Sequence, residues 1–382
     1  MVGLRAECYG PRVDAALHGL LTDAIERAVC SAAAISVGDT GVEVVRLAVG
    51  HTRSVPDRGA PISTNAFFDL ASLTKPIATT AVAMALCSEH RLDLEAGAAH
   101  WLDGAIDPRV RVEHLIGHAA GLPPHARLYE RIWAGDLDGC ATAREALIRM
   151  ALAQPLEAAP GERASYSDLG YIALGALLER AGGAPLEELF DHLVAGPWRL
   201  HGARFVDVSR PPGERPSFPG PVVATEIDER RGLVVGEVHD ENCHAGGGVA
   251  GHAGLFATIG DVGRFAAAMV ELAAGHDREP LGAGVALRFL ATSAAPHTSW
   301  RLGWDTPSPE PGVSHAGDLW PRQHSVGHLG FTGTSLWLDL ARRRWVALLT
   351  NRVHPTREGA RAAAIRELRR TVNDTVIRYL GL

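Results

Sequence analysis

Phe68-Asp69-Leu70-Ala71-Ser72-Leu73-Thr74-Lys75-Pro76 is the stretch from which the rest of the chain can be read. Phe67–Ala71 is a short apolar lead, and a long helical pattern follows from Ser72 to His90. Pro76 falls in or beside the first turn of that helix, where a missing N–H costs little. Lys75 is the only lysine in a chain with 37 Lys and Arg residues; every other basic position is arginine. In a chain that uses arginine wherever charge alone is wanted, the exception suggests a position where an amine must lose its proton, which guanidinium does not do. The competing reading is a stray lysine left by an arginine-rich composition, and its neighbourhood decides between them. Ser72 lies three residues earlier, on the same helical face. The helix N-terminus favours a serine becoming an alkoxide and disfavours an ammonium. Burial pushes the amine the same way. A neutral lysine beside a serine hydroxyl is a recognised means of activating a nucleophile. S-x-x-K alone is a weak motif; here it contains the one lysine.

Outward from this stretch, Val13–Ala34 has helical apolar spacing, and Ala34–Val37 and Val42–Val49 read as strands around the hairpin signal Gly38-Asp39-Thr40-Gly41. From Leu92 to about Gly196 the pattern is helical and loop-rich, with helices predicted at Ala141–Ala153, Gly170–Ala181 and Pro185–Val194. Strand patterns return at Trp300–Trp304, Leu336–Leu340 and Trp345–Thr350, after a helix over Asp261–Ala274 and before a closing helix over Glu358–Tyr379. Strands at both ends and helices between predict an α+β fold. Its antiparallel sheet, flanked by the N- and C-terminal helices, takes residues 1–91 and 245–382, and residues 92–244 form an inserted all-helical lobe. A cleft between the two is the natural place for a site.

The 382 residues, 46% hydrophobic and 21% charged, suffice for a sizeable core and exclude a disordered or collagen-like chain. A net charge of −7 with interspersed signs gives no footprint for nucleic acid. No apolar run reaches the ~18 residues of a membrane span. The opening residues MVGLRAECYGPRVD lack the apolar core of a secretory signal. Cys8, Cys30, Cys87, Cys140 and Cys243 are odd in number and scattered, which predicts reduced thiols in a cytoplasmic protein.

Two more segments bear on the chemistry. Tyr166-Ser167-Asp168 sits on a loop feeding the helix at Gly170, and His328-Leu329-Gly330 opens Phe331-Thr332-Gly333-Thr334-Ser335. The order S-x-x-K, Y-S-D, H-x-G resembles the serine β-lactamase and penicillin-binding protein superfamily, and within it the class C-like branch of esterases and D-amino-acid peptidases. The resemblance extends over Phe68–Pro76, His114–Pro124, Pro160–Leu178, Gly246–Arg264 and Gly327–Thr350. It implies Ser72 as nucleophile, Lys75 as its general base, Tyr166 as second base or proton shuttle, and His328 on the strand edge lining the cleft. It also implies an oxyanion hole from the N–H groups of Ser72 and Phe331, beside Gly330. The implied partner is a small-molecule ester or amide, with no cofactor, nucleic acid or membrane.

The sequence departs from the more familiar pattern twice. Asp168 stands where Asn is usual, and a carboxylate near Lys75 favours its charged form. Asp168 therefore points away, is protonated, or belongs to a different arrangement of charges. His328 replaces a lysine that helps recognise a substrate carboxylate. A histidine there is largely neutral at pH 7, which moves the expectation from β-lactams to esters or small amides, with esterase first, D-amino-acid peptidase second and β-lactam hydrolysis, at most weak, third.

Competing readings rest on other residues. His239, His244 and His252 suggest a zinc-dependent hydrolase. A non-catalytic binding module on the same fold is the third, with Asp168 and His328 as marks of decay. His114 and His118, four apart, read better as helix-end packing than as a metal pair. Gly246-x-Gly248-x-x-Gly251 fits a dinucleotide fingerprint literally, but no strand precedes it and no βαβ unit surrounds it.

Overall fold

The Asp39-Thr40-Gly41-Val42 turn closes as its sequence predicts, because Thr40 (φ 52°) and Gly41 (φ 85°) both adopt the left-handed region a two-residue hairpin loop requires. The computed structural model describes residues 2–381, with side chains from residue 12; Cys8 and the first eleven residues of the opening stretch therefore lie outside the described side chains. The turn joins β1 (Ala32–Asp39) to β2 (Val42–Gly50). Two-residue strands follow at β3 (Phe68–Asp69), β4 (Arg204–Phe205), β5 (Ile227–Asp228) and β6 (Gly232–Leu233), then β7 (Leu255–Ala257). The chain ends with β8 (Ser325–Leu329), β9 (Ser335–Asp339) and β10 (Arg344–Thr350). The main sheet is antiparallel in the order β2-β1-β10-β9-β8, so strands from the two ends of the chain pair at its centre, with Ile35 opposite Leu348.

Period-two alternation assigns each residue of β1 to one of two cores. Ala33, Ile35 and Val37 pack with Val13, Leu17 and Leu21 of α1 (Val2–Glu26) and with Ile365, Val372 and Val376 of the closing helix Arg361–Leu380. Ala32 and Ala34 face the other way, into a cluster with Phe265, Ala266 and Met269. That same cluster continues without a break through Leu73 and Tyr171 to Leu177 and Leu186, so the sheet and the helical middle share one core. The first helix stops at Glu26, short of the predicted Ala34. Ala32-Ala33-Ala34 favours helix by propensity, but pairing with β10 and β2 overrides it.

The helical elements in chain order are α2 (Ala81–Ser88), α3 (Val112–Ile116), α4 (Leu128–Trp133), α5 (Ala143–Leu152), α6 (Asp168–Gly182), α7 (Leu186–Phe190), α8 (Glu241–Ala245), α9 (Ile259–Ala273) and α10 (Ala283–Ala291), with Arg361–Leu380 as α11. Residues 92–244 are mainly helical, as expected, but not all-helical. β4 pairs with β7 in a small sheet ordered β3-β7-β4, and β5 pairs with β6. The predicted strand Trp300–Trp304 is a turn. Gly303 (φ 85°) reverses the chain between Arg301 and Trp304, and only Asp305 bridges to Gly327 of β8. Its alternating Trp300, Leu302 and Trp304 are apolar because they pack, with Leu302 and Trp304 fully buried.

Among the described residues no helix is long and apolar enough to cross a membrane, and Cys30, Cys87, Cys140 and Cys243 are free thiols.

Candidate active site

Ser72 sits on a bend that its neighbours hold under strain. Ala71 has φ 48°, a left-handed conformation disfavoured for a residue with a Cβ. Asp69 holds it there: Oδ1 accepts from the Ala71 N–H at 2.7 Å and Oδ2 from the His239 N–H at 2.6 Å. The predicted continuous helix from Ser72 to His90 is instead three pieces. A single 3₁₀ turn spans Ala71–Leu73, a widened π turn spans Lys75–Thr80, and α2 begins at Ala81. Pro76 supplies no N–H to a tighter ladder, and such widened turns recur at functional sites.

The three-residue spacing brings Lys75 Nζ to 3.0 Å from Ser72 Oγ. Nζ also donates to Asp168 Oδ1 at 2.8 Å and to the His252 carbonyl at 3.0 Å, so all three protons of an ammonium have acceptors. The Lys75 side chain is fully buried, and its Nζ lies 4.8 Å from the centre of the Tyr166 ring. Ser167 caps α6, its Oγ accepting from the Gly170 N–H at 3.0 Å. Its extended backbone sends the flanking Tyr166 and Asp168 to the same side. Tyr166 OH donates to Ser72 Oγ at 2.8 Å. Burial and then the Asp168 charge push the Tyr166 phenol well above its usual value, so it is a neutral donor. Burial alone would raise the Asp168 carboxyl, but the Lys75 charge and His125 outweigh it and hold Asp168 ionised. His125 Nδ1 stands 3.8 Å from Asp168 Oδ2 and is raised by that carboxylate. Of the three arrangements the sequence left open, Asp168 takes the last. It neither points away nor carries a proton.

The turn between β8 and β9 closes over the same bend. Thr332 Oγ1 donates to the Asp69 carbonyl at 2.9 Å and Thr334 Oγ1 to the Leu70 carbonyl at 3.0 Å. A side chain at Gly330 would bring a Cβ within 2.6 Å of the Leu70 oxygen, so the close approach requires glycine. Phe331 follows, half exposed, with Arg352 over its ring at 4.3 Å and His239 stacked at 5.8 Å. His328 is 2% exposed, and its Nδ1 donates to the Leu329 carbonyl at 2.8 Å. Burial, then the Lys75 charge, lower its pKa to about 3, so the imidazole is neutral and Nε2 is a bare acceptor. Trp300 lies against Tyr166, His118 and His328 at 5.4, 4.5 and 5.8 Å between ring centres. Ser72, Tyr166, Asp168, His328, Gly330 and Phe331 all line one cleft of about 600 Å³, which also reaches Trp300, Arg352 and Arg369. Every predicted site residue except the enclosed Lys75 borders it.

A family model described as Beta-lactamase matches residues 17–370. The chain belongs to the beta-lactamase family. A relative from Escherichia coli K12, described as a putative D-alanyl-D-alanine carboxypeptidase, is 27% identical over 314 residues, covering 76% of this chain and 70% of its own. An N-acetylmuramyl-L-alanine amidase of Bacillus subtilis 168 is 30% identical over 319 residues, covering 78% and 70%. Among solved structures, the hydrolase EstCE1, described as having promiscuous acyltransferase activity, superposes with a TM-score of 0.68 at 22% identity, over 95% of this chain and 98% of its own. Membership in the beta-lactamase family makes the chain a hydrolase of the serine type, and the antiparallel sheet with its helical insert is that family's architecture.

Within this beta-lactamase family chain the competing clusters are structural. His239, His244 and His252 each bond a different carboxylate, Glu226, Glu237 and Asp240, and do not converge. Among the described residues no group of three or more His, Cys, Asp or Glu is arranged to hold a metal. His114 and His118 accept backbone N–H groups, from Arg111 and Ser167, as helix-end residues. The Gly246–Gly251 run serves packing, since a Cβ at Gly251 would lie 2.1 Å from the Tyr171 carbonyl of α6. Sequence reasoning missed Asp69, Trp300, Thr332, Thr334 and Arg369. The D-x-x-S spacing before Ser72 and the two threonines of F-T-G-T were the available signals for three of them.

Proposed function

We propose that the protein hydrolyses a small ester or amide through an acyl-enzyme on Ser72. The observation that carries this reading is the convergence of Lys75 Nζ and Tyr166 OH on Ser72 Oγ, at 3.0 and 2.8 Å, on the wall of the cleft. With Lys75 deprotonated, Ser72 gives its proton to Nζ as Oγ bonds the substrate carbonyl carbon. The Ser72 and Phe331 N–H groups receive the charge that develops on the carbonyl oxygen. As that intermediate collapses, the proton passes by way of Lys75 and Tyr166 to the leaving oxygen or nitrogen. Water then attacks the acyl carbon, losing its proton along the same path, and Ser72 is released.

An ester is the first reading, because the neutral His328 occupies the position from which a cation would grip a substrate carboxylate. A peptidase acting on D-amino-acid substrates is the second. Arg352 supports it: only 7% exposed yet lining the cleft, it makes no ion pair with a described carboxylate. The test is incubation with a fluorophosphonate and with penicillin, read by intact mass, on wild type and Ser72→Ala. One adduct on wild type and none on Ser72→Ala is expected. An adduct that survives Ser72→Ala overturns the mechanism, and an unlabelled wild type that is inert on esters and D-aminoacyl amides favours a binding module.

A further inference from the structure

We infer that Arg369 of α11 is a positioning residue that aims the Phe331 N–H at the oxyanion; this rests on the acyl-enzyme reading above. Arg369 is 6% exposed, and its Nη2 donates to the Gly330 carbonyl at 2.8 Å and the Thr334 carbonyl at 2.7 Å. A trans peptide is planar, with its C=O and N–H pointing in opposite directions. Holding the Gly330 oxygen therefore fixes the direction of the Phe331 N–H, which leaves the same peptide plane on the other side. Arg352 repeats the grip one peptide further on, its Nε donating to the Phe331 carbonyl at 2.9 Å. The Phe331 amide is thus flanked by two carbonyls that guanidinium groups hold. Thr332 and Thr334 tie the turn to Asp69 and Leu70 from the nucleophile's side. The Phe331 N–H itself has no backbone or side-chain acceptor among the described residues.

Stability does not explain the arginine. A buried guanidinium is costly unless a carboxylate pairs with it. Around Arg369 the acting influences are burial and the charge of Arg352, which together bring it down to about 9. Its Nε has no partner at all. Nor are the two carbonyls dependent on it, because the Gly333 N–H bonds the Gly330 oxygen at 3.1 Å and the Gly330 N–H bonds the Thr334 oxygen at 2.8 Å. What Arg369 adds is direction and polarisation. A cation on a peptide oxygen draws electron density from the N–H and strengthens it as a donor.

The experiment compares wild type, Arg369→Met and Arg369→Gln in hydrolysis of p-nitrophenyl butyrate and in inhibition by a boronic acid that forms a tetrahedral adduct. Arg369→Met is expected to lose about 100-fold in kcat, the scale of an ~1 Å misplacement, with KM changed no more than about threefold. Boronate affinity should weaken by the same factor as kcat/KM. Arg369→Gln, which keeps one donor, should fall between. The melting temperature of Arg369→Met should match or exceed wild type, a combination that a merely structural arginine would not give. A folded Arg369→Met with wild-type kcat and boronate affinity overturns the inference, as does failure of both variants to fold. Absence of a Ser72 adduct in wild type is a separate result that overturns the hydrolase reading itself.

Discussion

Asp168 Oδ1 accepts a hydrogen bond from Lys75 Nζ at 2.8 Å, and the two form an ion pair in which the lysine side chain is fully enclosed. Ser72 thus faces an ammonium and a phenol that both donate to it. This arrangement suits stabilisation of an alkoxide and protonation of a leaving group. Taking the serine proton requires the pair to release one first, so the pH profile is where Asp168 should be felt.

Asp168→Asn removes the charge that, after burial, keeps the Tyr166 phenol high. Its ionisation then becomes easier, and the acid limb of kcat/KM should move to lower pH by about one unit. Stability moves the other way. The carboxyl is depressed in the folded state, so its contribution is fully present above the unfolded value near 3.9 and is lost progressively as pH falls from there through the lower folded value. Asp168→Asn should therefore be less stable at pH 7 by about 1–3 kcal/mol, with the gap narrowing as pH falls below about 4. Denaturant melts at pH 7 and pH 3, beside pH–rate profiles, check both parts. An unmoved acid limb would remove Asp168 from the mechanism.

Lys75→Arg keeps the charge and discards the removable proton. The side chain is wholly enclosed, so the larger head also strains its surroundings. Activity should fall by about 10³-fold or more, and the loss should persist up to alkaline pH. Recovery of the rate at high pH would show that a different base acts.

Much of this site was legible because its motifs are local. S-x-x-K, Y-S-D and H-x-G each place side chains by helix or strand spacing, and the lone lysine singled out the first. The fold class was legible for a related reason. Strand patterns at the two ends of a chain have few ways to pair, and β1 against β10 is the simplest. What could not be read depends on long-range hydrogen bonds. Asp69 to His239 and Arg369 to Gly330 join residues 170 and 39 apart. Trp300 was misread for its alternation, which reported burial beside a turn at Gly303 rather than a strand. The zinc reading failed through a local cause. Histidines close in sequence were each satisfied by a separate carboxylate.

Ala71→Gly should stabilise the protein. The left-handed backbone at φ 48° is disfavoured by roughly 1–2 kcal/mol for a residue with a Cβ and is free for glycine. Part of that gain is offset by the greater freedom of glycine in the unfolded chain, leaving about 0.5–1 kcal/mol. A urea melt reads the change directly. A loss of stability would mean that the methyl's packing against the Gly330 turn outweighs the strain.

His328 supplies a pH dependence with a definite sign. Its pKa is about 3 in the folded protein, lowered by burial and then by Lys75, against an unfolded value near 6.5. Between those values the unfolded chain binds a proton that the folded protein refuses, so stability falls as pH drops from about 6.5 towards 3. The contribution is a few kcal/mol over that window. His118, lowered well below its usual value by burial and then by Lys75, adds to the same slope. His328→Gln cannot titrate, so its melting temperature should decline less steeply between pH 6.5 and 4 than that of wild type. The difference should vanish above pH 7, where the histidine is neutral in both states. Parallel curves for the two proteins over the acid range would contradict this, and would mean that His328 takes up its proton without unfolding.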